Sequence, residues 1–197
     1  RGISRTLTVG VLLPDLHGEF FSEIIRGVDL ASRRIGYHLL LSGSHSDPRE
    51  MAAVLAAMHG RVDGLIVMLP DVEAETLRSR FPAGLPVVLL NSPAKSEYSI
   101  TIDNYGGARR MVEHLAGLGH RRIAFIRGPQ GNADAEELLR GFRRAMHRLV
   151  EGRVSALEVA GDFSEASGYV AVSAITSMMP RPTAIFAAND SMAVGAL

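Results

Sequence analysis

Phe186-Ala187-Ala188-Asn189-Asp190-Ser191-Met192-Ala193-Val194-Gly195 brings the chain to its end as a strand-like run, an Asn-Asp pair and the start of a helical pattern. Asn and Asp cap helices while leaving polar groups at the carboxyl end of the preceding strand. In open α/β sheets that edge is where ligands bind. The Asn189 amide donates and accepts hydrogen bonds at once, which suits a hydroxylated ligand. Asp190 reads as structural, holding the helix start. Asp103 sits at the end of an earlier strand, where its carboxylate either accepts ligand hydroxyls or caps the helix beginning at Asn104. The chemistry offered here is recognition by hydrogen bonds. The last helix has barely begun at Leu197, so the sequence reads as part of a longer chain.

Other chemistry leaves no signature. The phosphate-loop pattern ending in Gly-Lys-Ser/Thr does not occur. Gly117-Leu118-Gly119 resembles part of a dinucleotide fingerprint but precedes a strand, the reverse of the needed order. The seven histidines are scattered, with no two at metal-ligand spacing. Ser44-His45-Ser46 lacks the strand–turn–helix setting of a nucleophile elbow. Cysteine is absent, which removes disulfides and thiolate ligands and fits a reducing cytoplasm. No catalytic residue, cofactor or metal ligand is assigned, and the expectation is a protein that is not an enzyme.

The elements that must position these residues alternate along the chain. Leu7 to Leu13 is an apolar run ended by Pro14, a strand buried on both faces. Phe20, Phe21, Ile24, Ile25, Val28 and Ala31 recur at helical spacing until Gly36. Tyr37 to Leu41 is the next strand, and Asp47-Pro48-Arg49-Glu50 a strong helix start. Leu65 to Leu69 and Pro86 to Leu90 are strands, with a polar helix from Glu73 to Arg80 between them. Ser99 to Ile102 is a short strand leading into a further helix. After Gly119 the alternation restarts: Ile123 to Ile126, a helix from Ala135 to Leu149, Val154 to Val159, a helix from Glu165 to Met178 capped by Ser164, and Thr183 to Ala187. Such alternation predicts parallel strands joined by right-handed crossovers. The fold class is therefore α/β with two doubly wound sheets, the first lobe spanning residues 1–118 and the second, incomplete here, residues 119–197.

Apolar residues make up 47% of the 197, and no run approaches the length of a membrane helix. The 21 basic and 21 acidic side chains cancel, which gives no general attraction to nucleic acid. Any contact with DNA is expected from a part of the protein outside this sequence.

Several segments together resemble the effector-binding core of the lactose-repressor (LacI/GalR) family of bacterial transcription regulators. They are Val11-Leu12-Leu13-Pro14-Asp15 with Phe20-Phe21-Ser22-Glu23, Val62-Asp63-Gly64-Leu65-Ile66-Val67, Ile102-Asp103-Asn104, Gly119-His120-Arg121-Arg122-Ile123, Gly161-Asp162-Phe163-Ser164 and Ala188-Asn189-Asp190. Their joint order and spacing carry the match. The resemblance implies a two-lobed form like a periplasmic binding protein, a sugar-like effector held in the interlobe cleft, a homodimer and a cytoplasmic protein. It also implies operator DNA as partner through an N-terminal helix-turn-helix domain, which is missing from this sequence; Arg1 to Arg5 resembles the tail of the linker to it. A solute receptor feeding a transporter and an α/β enzyme acting on a nucleotide or sugar are the rival readings.

The resemblance also implies site residues. Phe20 and Phe21 match a family pair lining the cleft, although both also fit an apolar helix face. Phe163 matches an aromatic that stacks on the ligand, and a flat ring suits a sugar's C–H face. Asn132 and Asp134 fall where relatives place polar contacts. Leu138 stands where the family has a ligand-gripping arginine, and a leucine cannot replace a guanidinium. That departure, with the carboxylates of Glu136 and Glu137 beside it, counts against a typical sugar or anionic effector and leaves a more apolar or cationic ligand open; Arg127 and Arg140 stand as equal substitutes. The helix Pro48 to His59 is apolar all round, so it contacts neighbours on more than one side. The family places it at the subunit interface, with Met51, Leu55 and Met58 as the candidate contacts. An interior helix is the alternative.

Overall fold

The computed structural model of the chain describes residues 5–45, 47–68, 81, 84–91, 98–149 and 157–197. Residues 1–4 of the linker tail expected at Arg1 to Arg5, the polar helix at 73–80 and the start of the strand at 154–156 lie outside the described residues. Two compact units divide the chain, Arg1–Ile102 and Asp103–Leu197.

In the first unit five parallel strands stand in the order β2-β1-β3-β4-β5, with β1 at Thr8–Leu13, β2 at His38–Gly43, β3 at Gly64–Met68, β4 at Val87–Leu90 and β5 at Ser99–Ile100. Val11 pairs with Leu41 on one side and Ile66 on the other, so β1 is interior. Its side chains alternate between two buried faces. Val11 and Leu13 pack with Phe21, Ile24, Ile25 and Val28 of helix α1 (Glu19–Arg34). Leu12 packs on the opposite face with Met51, Leu55 and Met58 of helix α2 (Pro48–Met58). Asp47 caps α2 as its sequence implies, its carboxylate accepting from the Arg49 N–H at 2.7 Å. Gly10 lets α2 approach β1, because a Cβ there would lie 3.0 Å from the Met58 sulfur.

Met51, Leu55 and Met58 are therefore core residues, at most 5% exposed. Their i, i+4, i+7 spacing marks a face of α2 correctly, but that face meets the sheet and leaves nothing for a partner chain. The assignment of these three side chains to a dimer contact is corrected. The outward face of α2 is Ala52, Ala53, Ala56 and Ala57, all exposed.

In the second unit three parallel strands stand in the order β7-β6-β8, with β6 at Ile123–Arg127, β7 at Leu157–Ala160 and β8 at Ala184–Ala187. Helices α3 (Asn104–Gly117) and α4 (Ala133–Leu149) cover one face. There Ile123 and Phe125 pack with Val112, Leu139, Phe142 and Met146, and the Phe125 and Phe142 rings stack 4.8 Å apart. Helices α5 (Glu165–Thr176) and α6 (Asp190–Ala196) serve the other face, where Ala124 and Ile126 meet Ala171, Ile175 and Met192. Both helix pairs touch backbone to backbone. A Cβ on Gly141 would lie 2.3 Å from the Tyr105 carbonyl oxygen, and one on Gly168 would lie 2.1 Å from that of Met192. Because Gly141 docks α4 on Tyr105, helix α3 groups with the second unit. The division falls after Ile102, whereas the restart of strand–helix alternation at Gly119 implies one after Leu118.

The Gly-His-Arg-Arg-Ile motif sits where α3 ends and β6 begins. Arg121 donates to the Ala116 carbonyl at 2.7 Å, Arg122 donates to the Pro180 and Arg181 carbonyls, and His120 meets the Thr183 hydroxyl at 3.0 Å. These side chains tie the entry of β6 to the entry of β8, at the opposite end of the strands from their carboxyl edge. Their role is structural.

Candidate ligand-binding site

Each sheet has a switch point, where the crossovers leaving its central strand diverge. In the first unit it lies between the carboxyl ends of β1 and β3. The turn after β1 is fixed by Asp15, whose carboxylate accepts from the Leu16 and His17 N–H groups at 2.6 and 3.0 Å and meets the His17 ring at 3.0 Å. The His17 ring hydrogen bond, then its backbone N–H, hold the Asp15 carboxyl below the ordinary carboxylate range. Gly18, at φ 86°, opens α1, and among the described residues no side chain caps this helix start. Its first-turn N–H groups thus face the edge unsatisfied by side chains.

The structure divides the Phe20–Phe21 pair. Phe21 packs into the core with Val11 and Leu13, while Phe20 is 47% exposed and meets Phe21 edge-on at 5.2 Å. Only Phe20 is presented at the edge. Nearby, buried Asn91 follows β4 with φ 46° and accepts from the Ile102 N–H at 3.3 Å, tying the ends of β4 and β5.

In the second unit the switch point lies between β6 and β8. Phe163 follows β7 with φ 71°, and its ring covers Gly128 so closely that a Cβ there would lie 2.5 Å from the ring carbons. The loop after β6 thus has an aromatic wall because residue 128 has no side chain. Asp162 and Ser164 shape the turn: the carboxylate accepts from the Ser164 N–H at 2.9 Å, and Ser164 caps α5 through the Ser167 N–H at 3.1 Å. Hydrogen bonds from the Ser164 hydroxyl, the Ser164 N–H and the Ser167 hydroxyl hold the Asp162 carboxyl below its ordinary range.

The polar candidates turn out to be engaged in structure. Asn189 is itself the cap of α6, accepting from the Met192 N–H at 3.0 Å and donating to the Phe163 carbonyl at 2.9 Å. The capping role expected of Asp190 therefore belongs to Asn189, and Asp190 is an exposed first-turn acid. One donor and one acceptor position of the Asn189 amide remain for a ligand. Asp103 caps α3 through the Gly106 N–H at 2.8 Å and lies 3.5 Å from Arg110, so its structural alternative is the one observed. Asn132 accepts from the Ala135 N–H at 3.1 Å, and Asp134 accepts from the Asn104 amide at 2.7 Å. Leu138 is half-buried against the Phe125–Phe142 cluster.

Asn132, Phe163 and Asn189 thus gather at one sheet edge. Arg127, the last residue of β6, stands at the same edge, half-buried. Sequence alone does not distinguish it from Arg140, since only the end of the strand marks it. Two concavities, about 480 and 250 Å³, are lined by Asp29, Arg33, Tyr37, His38 and Leu39 and by residues around Thr183. Both lie at strand starts, away from these edges.

Comparison with known proteins agrees with this geometry. Residues 6–197 match the family described as periplasmic binding proteins and sugar binding domain of the LacI family. The chain is 33% identical over 198 residues to the ribose operon repressor of Escherichia coli K12, covering 98% of this chain and 60% of that protein. It is 35% identical over 205 residues to the transcriptional repressor PurR of Klebsiella pneumoniae, covering 99% of this chain and 59% of that protein. A solved complex of the transcriptional regulator CelR with cellobiose superposes with a TM-score of 0.82 at 30% identity, covering 98% of this chain and 62% of that one. The chain thus spans about 60% of the length of the curated relatives it matches. With an α/β architecture of parallel sheets, polar and aromatic groups at their carboxyl edges and a match over nearly its whole length, the chain belongs to the family of periplasmic binding proteins and LacI-type sugar-binding domains.

Proposed function

We propose that this chain is the effector-binding and dimerisation core of a LacI-type bacterial transcription regulator acting in the cytoplasm. The observation that carries the reading is the carboxyl edge of the second sheet, where the Phe163 ring walls Gly128 and Asn189 anchors the Phe163 loop. An aromatic face beside amide groups suits a sugar-like molecule, whose C–H face stacks while its hydroxyls hydrogen-bond. The relatives point the same way, being named for a ribose operon and solved with cellobiose. Phe20, exposed at the edge of the first sheet, is the apolar group which that edge presents. Asn132, Asp134 and Asp103 act by shaping the loops around the ligand.

A ligand with different affinities for two arrangements of the units shifts the population between them. In a homodimer that shift alters the affinity of attached DNA-binding heads for operator. The outward face of α2 is the dimer contact in this reading. The test is a thermal-shift panel of sugars, polyols, nucleosides, amines and aromatic acids on the full-length protein, followed by operator binding with each stabilising compound. A compound that raises the melting temperature and changes operator affinity supports the reading. Turnover of that compound, or stabilisation with no change in DNA binding, contradicts it.

A further inference from the structure

We infer that Arg127 is the charged anchor of the ligand, and that the ligand is a small hydroxylated molecule carrying one carboxylate. The inference rests on the effector-binding reading and names the class of its ligand. β6 is the central strand of its sheet, with Arg127 paired to Ala160 of β7, so the residue stands at the switch point itself. Strand alternation puts Arg127 on the same face as Ile123 and Phe125, the face that Leu138 also packs against.

Among the described residues the Arg127 side chain has no hydrogen bond or ion pair. Its neighbours on α4 are occupied. Arg140 pairs with Glu137 at 3.2 Å and lies 5.5 Å over the Tyr105 ring, and Arg143 makes two 2.7 Å bonds to Glu158. A guanidinium stays charged at every accessible pH, and half-burying it without a partner forfeits hydration. An incoming carboxylate restores that loss through a bidentate, charge-assisted pair.

The surroundings choose among anions. Asp134, in the first turn of α4, and Asp162, in the loop after β7, are each already held, by Asn104 and by the Ser164 turn respectively. With Glu136 also there, accepting from the Gly131 N–H at 3.4 Å, one guanidinium among three carboxylates suits a monoanion better than a phosphate dianion. The Phe163 ring over Gly128 packs on the opposite face of the sheet, with Ala124 and Ile126, so it offers a wall to a ligand of Arg127 only past the carboxyl end of β6.

The experiment is titration calorimetry on the full-length protein with D-gluconate, D-glucuronate and D-galacturonate, against D-glucitol as the neutral and D-glucose 6-phosphate as the dianionic counterpart. At least one sugar acid is expected to bind more tightly than both counterparts. Arg127→Gln should weaken it roughly tenfold or more, Arg127→Lys less, and Arg140→Gln not at all. An unchanged melting temperature of unliganded Arg127→Gln shows that the fold is intact. Tighter binding of the neutral or phosphorylated counterpart, or unchanged affinity in Arg127→Gln, overturns the inference while leaving the effector reading standing. Failure of all these probes overturns it as well; failure of the wider panel above brings down the effector reading itself.

Discussion

The side-chain amide of Asn189 donates to the Phe163 carbonyl at 2.9 Å while its oxygen accepts from the Met192 N–H at 3.0 Å. One residue thereby caps α6 and holds the loop carrying the aromatic wall. Asn189→Ala removes both bonds and should cost about 1–2 kcal/mol. Chemical denaturation should show that loss. Ligand affinity should fall further in Phe163→Ala, which keeps the Asn189 cap but removes the ring.

Close helix packing at Gly168 gives the second prediction. A Cβ there would meet the Met192 carbonyl oxygen at 2.1 Å, and backbone cannot move aside as a flexible side chain would. Gly168→Ala should therefore destabilise by about 1–3 kcal/mol despite alanine's better helix propensity. Gly117→Ala, where nothing lies within 4 Å, is the matched control. Equal melting temperatures for the two variants would refute the close contact.

The two faces of α2 should separate stability from association. Met58→Ala removes a buried side chain and should cost about 2–5 kcal/mol with no direct loss of a subunit contact. Ala53→Glu, on the exposed face, should weaken the proposed dimer while leaving the fold nearly as stable. Sedimentation of both variants over a concentration series, alongside denaturation, checks the pairing.

Acid sensitivity follows from two carboxylates. Asp63 accepts from the Thr6 N–H, the Thr6 hydroxyl and the Leu7 N–H, each at 2.9 Å, and the Thr6 backbone bond is the foremost cause of its lowered pKa. Asp162 is lowered by its Ser164 turn. A carboxyl lowered by folding contributes stability that is in place above its unfolded value, about pH 4, and is lost as pH falls through the folded value. Asp63→Asn and Asp162→Asn should each make stability less dependent on pH below about 4, measured by denaturation at stepped pH.

Much of this was legible in the chain because local signals and burial agreed. Apolar runs bounded by Pro14 and Gly36, and caps such as Asp47 and Ser164, fall where the elements begin and end. Periodicity, however, marks a face and not what covers it, so the spacing of Met51, Leu55 and Met58 does not tell a subunit contact from the core that they form. Asn189 and Asp190 are adjacent capping residue types, and only the extended backbone of Asn189, φ −148° and ψ 170°, decides between them. The grouping of α3 with the second unit depends on Gly141 meeting Tyr105, a contact across 36 positions that no local pattern announces. Arg127 has no mark of its own in the sequence, because its lack of a side-chain partner among the described residues depends on how its neighbours pair.

Recognition of the ligand at carboxyl sheet edges is the centre of the proposed function. Amide hydrogen exchange of the full-length protein, with and without the compound that stabilises it most, tests that recognition directly. New protection is expected at residues 14–21, 128–134, 161–164 and 188–190. Protection confined to the strand starts around Tyr37 and Thr183, or none at these edges, would contradict it.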